Sequence, residues 1–181
     1  YRERDAGLTR AGARAGDAVY VSGSLGDAAG GLAGWRGDSA RREELVRRYL
    51  WPQPRLTLGR ALRGLASACI DVSDGLIADL GHICERSGVG ASIESARLPL
   101  SPALRGVVDE ATARRWALTG GDDYELCFAV PAPHCDRLEQ LATTLALPLT
   151  RLGWIEPGSG VTCRDEQGRV LAQARRGYSH F

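Results

Sequence analysis

Two short acidic motifs carry residue types suited to phosphate and metal chemistry. The first is Ile70-Asp71-Val72-Ser73-Asp74-Gly75, which lies where an apolar strand gives way to an amphipathic helix. Two carboxylates three residues apart suit magnesium, which takes few protein carboxylates and completes its octahedron with water and phosphate oxygens. The helix start and the Ser73 hydroxyl can donate to phosphate oxygens. The structural alternative is that Asp74 or Ser73 caps the helix and Asp71 merely ends the strand.

The second motif is Thr-Gly-Gly-Asp-Asp-Tyr-Glu at 119–125, directly before a strongly apolar strand. Consecutive acids at the mouth of a buried strand are costly unless solvent, a cation or a ligand amine or hydroxyl faces them. A Gly-Gly turn with solvated aspartates is the alternative, and the pattern alone leaves both open. A third candidate, Gly23-x-x-Gly26-Asp27, lacks the last glycine of a dinucleotide fingerprint, so it predicts a tight strand-to-helix turn.

The composition excludes several kinds of chemistry. All 23 strong cations are arginines, so a phosphate-loop lysine and a Schiff-base lysine are both excluded. The three histidines show no metal-type spacing, and the five cysteines include no C-x-x-C pair, which favours structural cysteines. A net charge of +1 gives no electrostatic case for nucleic acid or a membrane surface. The longest apolar stretches are too short to span a bilayer, and we expect a cytoplasmic protein.

The hydrophobic pattern predicts an α+β (mixed α/β) domain in which strands and helices interleave. Residues 1–16 read as an interdomain connector and residues 17–181 as the domain itself. The predicted strands are 18–22, 66–72, 91–94, 124–130, 149–155, 160–163 and 169–173. The predicted helices are 28–33, 39–50, 56–65, 76–87, 104–108, 111–118 and 134–145. Both acidic motifs therefore fall at the ends of apolar strands.

Five segments resemble those of thiamine-monophosphate kinases, in the same order along the chain. They are Leu8 to Asp17, Val21 to Asp27, Ile70 to Leu80, Trp116 to Leu126 and Gly177 to Phe181. The resemblance implies the C-terminal domain shared with aminoimidazole-ribonucleotide synthetases, a mixed sheet covered by helices. It also implies ATP-dependent phosphorylation of thiamine monophosphate to thiamine diphosphate, with several Mg2+ ions.

The same resemblance assigns roles to individual residues. It implies that Asp71 and Asp74 bind magnesium, that Ser73 and Arg10 contact ATP, and that Asp122 and Tyr178 bind the thiamine substrate. A site without lysine can neutralise phosphate charge through metal ions and Arg10. The structural alternative for Tyr178 is that it anchors the chain end together with Phe181.

The resemblance has one large departure, because the family's N-terminal half has no counterpart here. We therefore expect the C-terminal half of a longer enzyme, which has no measurable kinase activity alone. A homodimer is expected for the full-length enzyme, and the oligomeric state of this half stays open. A smaller departure is Asp122, one methylene shorter than a glutamate at the same place. Two other functions stay open: a related synthetase for selenophosphate or aminoimidazole ribonucleotide, and a non-catalytic domain that binds a ligand or partner chain.

Overall fold

The computed structural model describes residues 7–34 and 40–174, and within them one seven-stranded mixed sheet organises the fold. The strands are β1 (Ala18–Ser22), β2 (Ala68–Asp71), β3 (Gly90–Glu94), β4 (Leu126–Val130), β5 (Leu149–Glu156), β6 (Gly160–Arg164) and β7 (Val170–Ala174). Their order across the sheet is β2-β4-β1-β5-β3-β6-β7. Neighbouring strands are antiparallel, except that β3 and β6 run parallel.

Helices cover both faces of this sheet. They are α1 (Asp27–Gly34), α2 (Ala40–Leu50), α3 (Leu56–Ala61), α4 (Leu76–Ser87), α5 (Pro102–Arg105), α6 (Glu110–Thr119) and α7 (Cys135–Leu145). The α+β prediction, a mixed sheet covered by helices, is confirmed. Among the described helices, none combines the length and the apolar character that crossing a bilayer would require.

Strand β4 lies between two hydrophobic clusters, which explains its unbroken apolar sequence. Cys127 and Ala129 belong to the larger cluster, where the apolar face of α4 packs. Phe128 and Val130 alternate with them and belong to the second cluster, with residues of α3 and α7. Burying a side chain such as Phe128 completely contributes about 1.5–3 kcal/mol to stability. The second acidic motif therefore leads into a strand, β4, that is packed on both of its faces.

Of the predicted boundaries that differ from the structure, three have a clear local reason. The strand predicted from Tyr124 begins at Leu126, because Tyr124 has a left-handed φ of 50°. The helix predicted over 56–65 ends at Ala61 and is followed by turns, with Gly64 at a φ of 73°. The helix predicted from Leu104 instead begins at Pro102, because the Ser101 side chain accepts a hydrogen bond from the Leu104 N–H and caps it.

The described part of the predicted connector, residues 7–16, is packed against the domain. The Thr9 carbonyl accepts a 2.8 Å hydrogen bond from the Cys69 N–H, and Gly16 donates to the Ile155 carbonyl at 2.9 Å. Ala13 is buried in the larger cluster. These contacts give Arg10, which lies between them, a defined place beside β2. The division at residue 16 stays a prediction.

Candidate active site

The two acidic motifs lie side by side and are joined through their backbones. The Asp122 N–H donates to the Ser73 carbonyl at 3.0 Å, and the Tyr124 N–H donates to the Val72 carbonyl at 2.9 Å. A Cβ on Gly121 would lie 2.3 Å from the Ser73 carbonyl oxygen, so only glycine allows this approach. We call residues 71–75 the metal loop and residues 119–125 the substrate segment. Together they form the candidate site, at the end of the sheet where β2 ends and β4 begins.

The metal loop is shaped by Asp79, a residue the sequence interpretation did not single out. The Ser73 and Asp74 N–H groups both donate to Asp79 Oδ2 at 2.9 Å. Burial raises the pKa of Asp79 above its ordinary value, while these two N–H groups act to lower it. The residue that caps α4 is Gly75, and no side chain caps that helix. The alternative that Ser73 or Asp74 serves as the helix cap is therefore wrong.

The carboxylates of Asp71 and Asp74 are well suited to a cation. Both residues are exposed. Within the described residues, no donor forms a hydrogen bond or ion pair with either carboxylate, so these oxygens are available as hard ligands. This donor set fits magnesium.

Asp74 also belongs to a cluster with Asp79 and His82. Ligand atoms of these three residues lie within 4.8 Å of one another. The sequence interpretation gave His82 no role, because the three histidines show no metal-type spacing along the chain. The i, i+3 relation of Asp79 and His82 on α4 was the signal that could have found this cluster.

In the substrate segment, Asp122 and Tyr124 both adopt left-handed backbone conformations, with φ of 66° and 50°. The Tyr124 hydroxyl donates to Asp122 Oδ1 at 3.2 Å, and this hydrogen bond raises the pKa of Tyr124. Left-handed residues other than glycine are uncommon and concentrate at functional sites. Tyr178, the predicted partner of Asp122, lies outside the described residues. Tyr124 is thus an aromatic neighbour of Asp122 that the sequence interpretation missed.

Asp123 has a structural role that its neighbour lacks. Its two carboxylate oxygens accept hydrogen bonds from the N–H groups of Gly26 at 2.7 Å and Ala28 at 3.0 Å, at the start of α1. Burial raises the pKa of Asp123 to about 7, and the nearby carboxylates of Asp27 and Glu125 act in the same direction. The alternative that both aspartates are simply solvated is wrong for Asp123. The tight strand-to-helix turn predicted at Gly23 to Asp27 is confirmed.

A groove of about 910 Å³ runs beside the candidate site. Asp71 and Tyr124 form one part of its wall, and the exposed Arg10 and Arg60 form another. Leu56 and other apolar side chains complete the lining. A groove lined by four arginines and by the Asp71 carboxylate can hold a polyphosphate together with a cation. The structure thus places Arg10, Asp71, Ser73, Asp74 and Asp122 in one region.

Comparison with known proteins gives a consistent result. Residues 14–166 match the family profile "AIR synthase related protein, C-terminal domain". The thiamine-monophosphate kinase of Escherichia coli (strain K12) is 44% identical over 179 residues, which are 96% of this chain and 55% of that protein. This resemblance, stated from the motifs above, is confirmed.

Two solved structures are also similar to this chain. The crystal structure of thiamine-monophosphate kinase from Stenotrophomonas maltophilia K279a has a TM-score of 0.83 at 50% identity, covering 86% of this chain and 52% of that one. AaThiL complexed with AMPPCP and TMP has a TM-score of 0.78 at 32% identity, covering 94% of this chain and 54% of that one. The chain thus spans about half the length of the relatives it matches.

Proposed function

We propose that this chain forms part of the active site of a thiamine-monophosphate kinase. The proposal starts from its family: the chain belongs to the AIR synthase related proteins, whose C-terminal domain it matches. The reaction is transfer of the γ-phosphoryl group of ATP to thiamine monophosphate, which yields thiamine diphosphate and ADP. The similarity to thiamine-monophosphate kinases over 96% of the chain supports this substrate pair. So does the related structure at 32% identity that holds AMPPCP and TMP.

The observation that carries the proposal is the backbone pairing of the metal loop with the substrate segment. The hydrogen bonds from Asp122 to Ser73 and from Tyr124 to Val72 bring two acidic motifs together, although the chain separates them by almost fifty residues. Phosphoryl transfer asks a protein for positioning and charge neutralisation more than for a covalent step. The metal loop would position the phosphates and the substrate segment would position the acceptor. Their backbone pairing fixes the two relative to each other, which meets that requirement.

On the nucleotide side, Asp71 and Asp74 would hold magnesium, which when bound neutralises charge on the phosphate oxygens. The Ser73 hydroxyl is available to donate to a phosphate oxygen, because it makes no hydrogen bond with any other described residue. Arg10 reaches the same groove and can bind a phosphate through two parallel N–H groups. In a chain without lysine, these groups carry the charge neutralisation.

On the acceptor side, Asp122 accepts a hydrogen bond from the amino group of the pyrimidine. Its left-handed backbone and its bond to Ser73 fix where that carboxylate lies. Tyr178 supplies an aromatic face to the positively charged thiazolium, an interaction of about 0.5–2 kcal/mol. The cytoplasmic location and the homodimer stay predictions.

The test is steady-state kinetics on the protein expressed from its complete reading frame. Asp122→Ala should raise the KM for thiamine monophosphate and leave the KM for ATP nearly unchanged, because only the acceptor loses a contact. Asp136→Ala is the matched control, an exposed aspartate in the first turn of α7. Absence of thiamine diphosphate formation by the wild-type protein with ATP and magnesium would refute the proposal and favour a related synthetase or a non-catalytic binding domain.

A further inference from the structure

Glu125 closes the substrate segment and is a buried acid, with 3% of its surface exposed. Arg55 binds it through two parallel hydrogen bonds, from Nε to Oε2 at 2.8 Å and from Nη2 to Oε1 at 2.5 Å. The Ser22 hydroxyl donates to Oε2 at 2.5 Å and accepts from the Leu126 N–H at 2.9 Å. A buried carboxylate is tolerated only with such complete pairing.

The local sequence holds Arg55 and Ser22 in place for this contact. Arg55 follows Pro54 and sits at the start of α3, where the Leu56 N–H donates to the Pro54 carbonyl at 2.9 Å. Proline fixes its own φ, which restricts the path of the chain that leads into Arg55. On the other side, a Cβ at Gly23 would lie 2.1 Å from Glu125 Oε1, so glycine is required for the carboxylate to fit.

Glu125 also joins this side-chain network to the metal loop. Its carbonyl accepts a 2.8 Å hydrogen bond from the Val72 N–H, directly beside the bond from Tyr124 to the Val72 carbonyl. It follows Asp122, Asp123 and Tyr124, two of which hold left-handed conformations that the chain adopts only under constraint. One residue therefore fixes both the end of the substrate segment and its distance from the metal loop.

We infer that the ion pair of Arg55 with Glu125 is a positioning device for the acceptor substrate, acting through Asp122. This inference rests on the proposed function. Arg55 also lines the groove beside the candidate site, but its Nε and Nη2 are both bound by Glu125. The fork-shaped pairing of Arg55 with Glu125 holds the left-handed turn in the arrangement in which the Asp122 N–H meets the Ser73 carbonyl. Loosening the pair should therefore weaken binding of thiamine monophosphate while leaving the nucleotide contacts, which come from the metal loop and Arg10, in place.

The test compares Arg55→Lys and Glu125→Gln with wild type in the protein expressed from its complete reading frame. Arg55→Lys keeps the charge and loses the fork, because lysine is a point charge and not a planar donor pair. We expect the KM for thiamine monophosphate to rise about tenfold in both variants, with the KM for ATP within about twofold of wild type. Arg105→Lys is the matched control, because Arg105 makes a 2.7 Å ion pair with Glu110 on the exposed surface.

The outcomes separate this inference from the proposed function. A wild-type protein that forms no thiamine diphosphate refutes the function. Amide hydrogen exchange over residues 119–125 then tests the positioning device without substrate, and unchanged exchange in Arg55→Lys overturns it. With an active wild type, equal increases in both KM values, or lower thermal stability with both KM values unchanged, make the pair a purely structural contact.

Discussion

Replacing Asp79 with alanine would remove the acceptor that shapes the metal loop. Asp79 Oδ2 receives the N–H groups of both Ser73 and Asp74 at 2.9 Å, and Asp79 is 2% exposed. Alanine offers neither N–H group a partner, and water reaches this part-buried position poorly. The loop should therefore lose stability and its fixed shape together.

The size of the effect follows from these two contacts. Hydrogen bonds to a charged group contribute roughly 1.5–3 kcal/mol each, so two of them contribute roughly 3–6 kcal/mol. Relief from burying a carboxylate offsets part of this, because burial alone raises the pKa of Asp79. We expect Asp79→Ala to lower the free energy of unfolding by about 2–4 kcal/mol. Asp79→Asn should cost about 1 kcal/mol, because its amide oxygen can still accept both N–H groups.

The assay is urea unfolding of both variants, followed by tryptophan fluorescence, with Asp136→Ala as the control. Asp136 is exposed in the first turn of α7, so its loss should cost under about 1 kcal/mol through the helix dipole alone. An Asp79→Ala protein as stable as Asp136→Ala would refute the reasoning. So would an Asp79→Asn protein that is no more stable than Asp79→Ala.

Two further predictions concern the aspartates of the two motifs. If the exposed Asp71 is the metal ligand proposed above, Asp71→Asn should lower the turnover of thiamine monophosphate by several orders of magnitude, because it then acts on transition-state charge, with little change in thermal stability. Parallel loss of stability and activity would make Asp71 structural. Asp123, whose pKa burial raises to about 7, holds its proton more tightly in the folded state than in the unfolded one. Its contribution to stability is complete below its ordinary pKa and is lost as the pH rises through about 7. The thermal midpoint of wild type should therefore fall relative to that of Asp123→Asn between about pH 5 and about pH 8, and a constant difference would contradict this.

The sequence predicted the elements of this fold well, because their signals are local. The apolar face of α4 appears as Leu76, Leu80 and Ile83 at helical spacing, and the helix ends at Ser87 as predicted, before a left-handed Gly88. The clustering of Asp71, Ser73 and Asp122 was reachable only through the family resemblance. No periodicity tells which strand ends meet, since strand order depends on long-range pairing.

The parts that sequence reasoning missed are contacts between distant side chains. Asp79 looks like an ordinary first-turn acid of a helix, and only its hydrogen bonds to the loop reveal its role. Glu125 looks like the last polar residue before a strand, yet its partners Ser22 and Arg55 lie 103 and 70 residues away. Asp122 and Asp123 are adjacent and identical in type, but the left-handed turn at Asp122 sends one to the site and the other to α1.

The central place of β1 has a consequence for how the protein folds. β1 is the first strand in the chain, yet both of its neighbours in the sheet, β4 and β5, come more than a hundred residues later in the sequence. During synthesis β1 must wait for more than a hundred further residues, the separation of Ser22 from Glu125, before it can pair. Such high contact order slows folding, because the entropy of closing the long loop is lost before the contacts form. The Ser22–Glu125 contact arises only with that pairing, so the candidate site is assembled late, together with the pairing of β1 and β4.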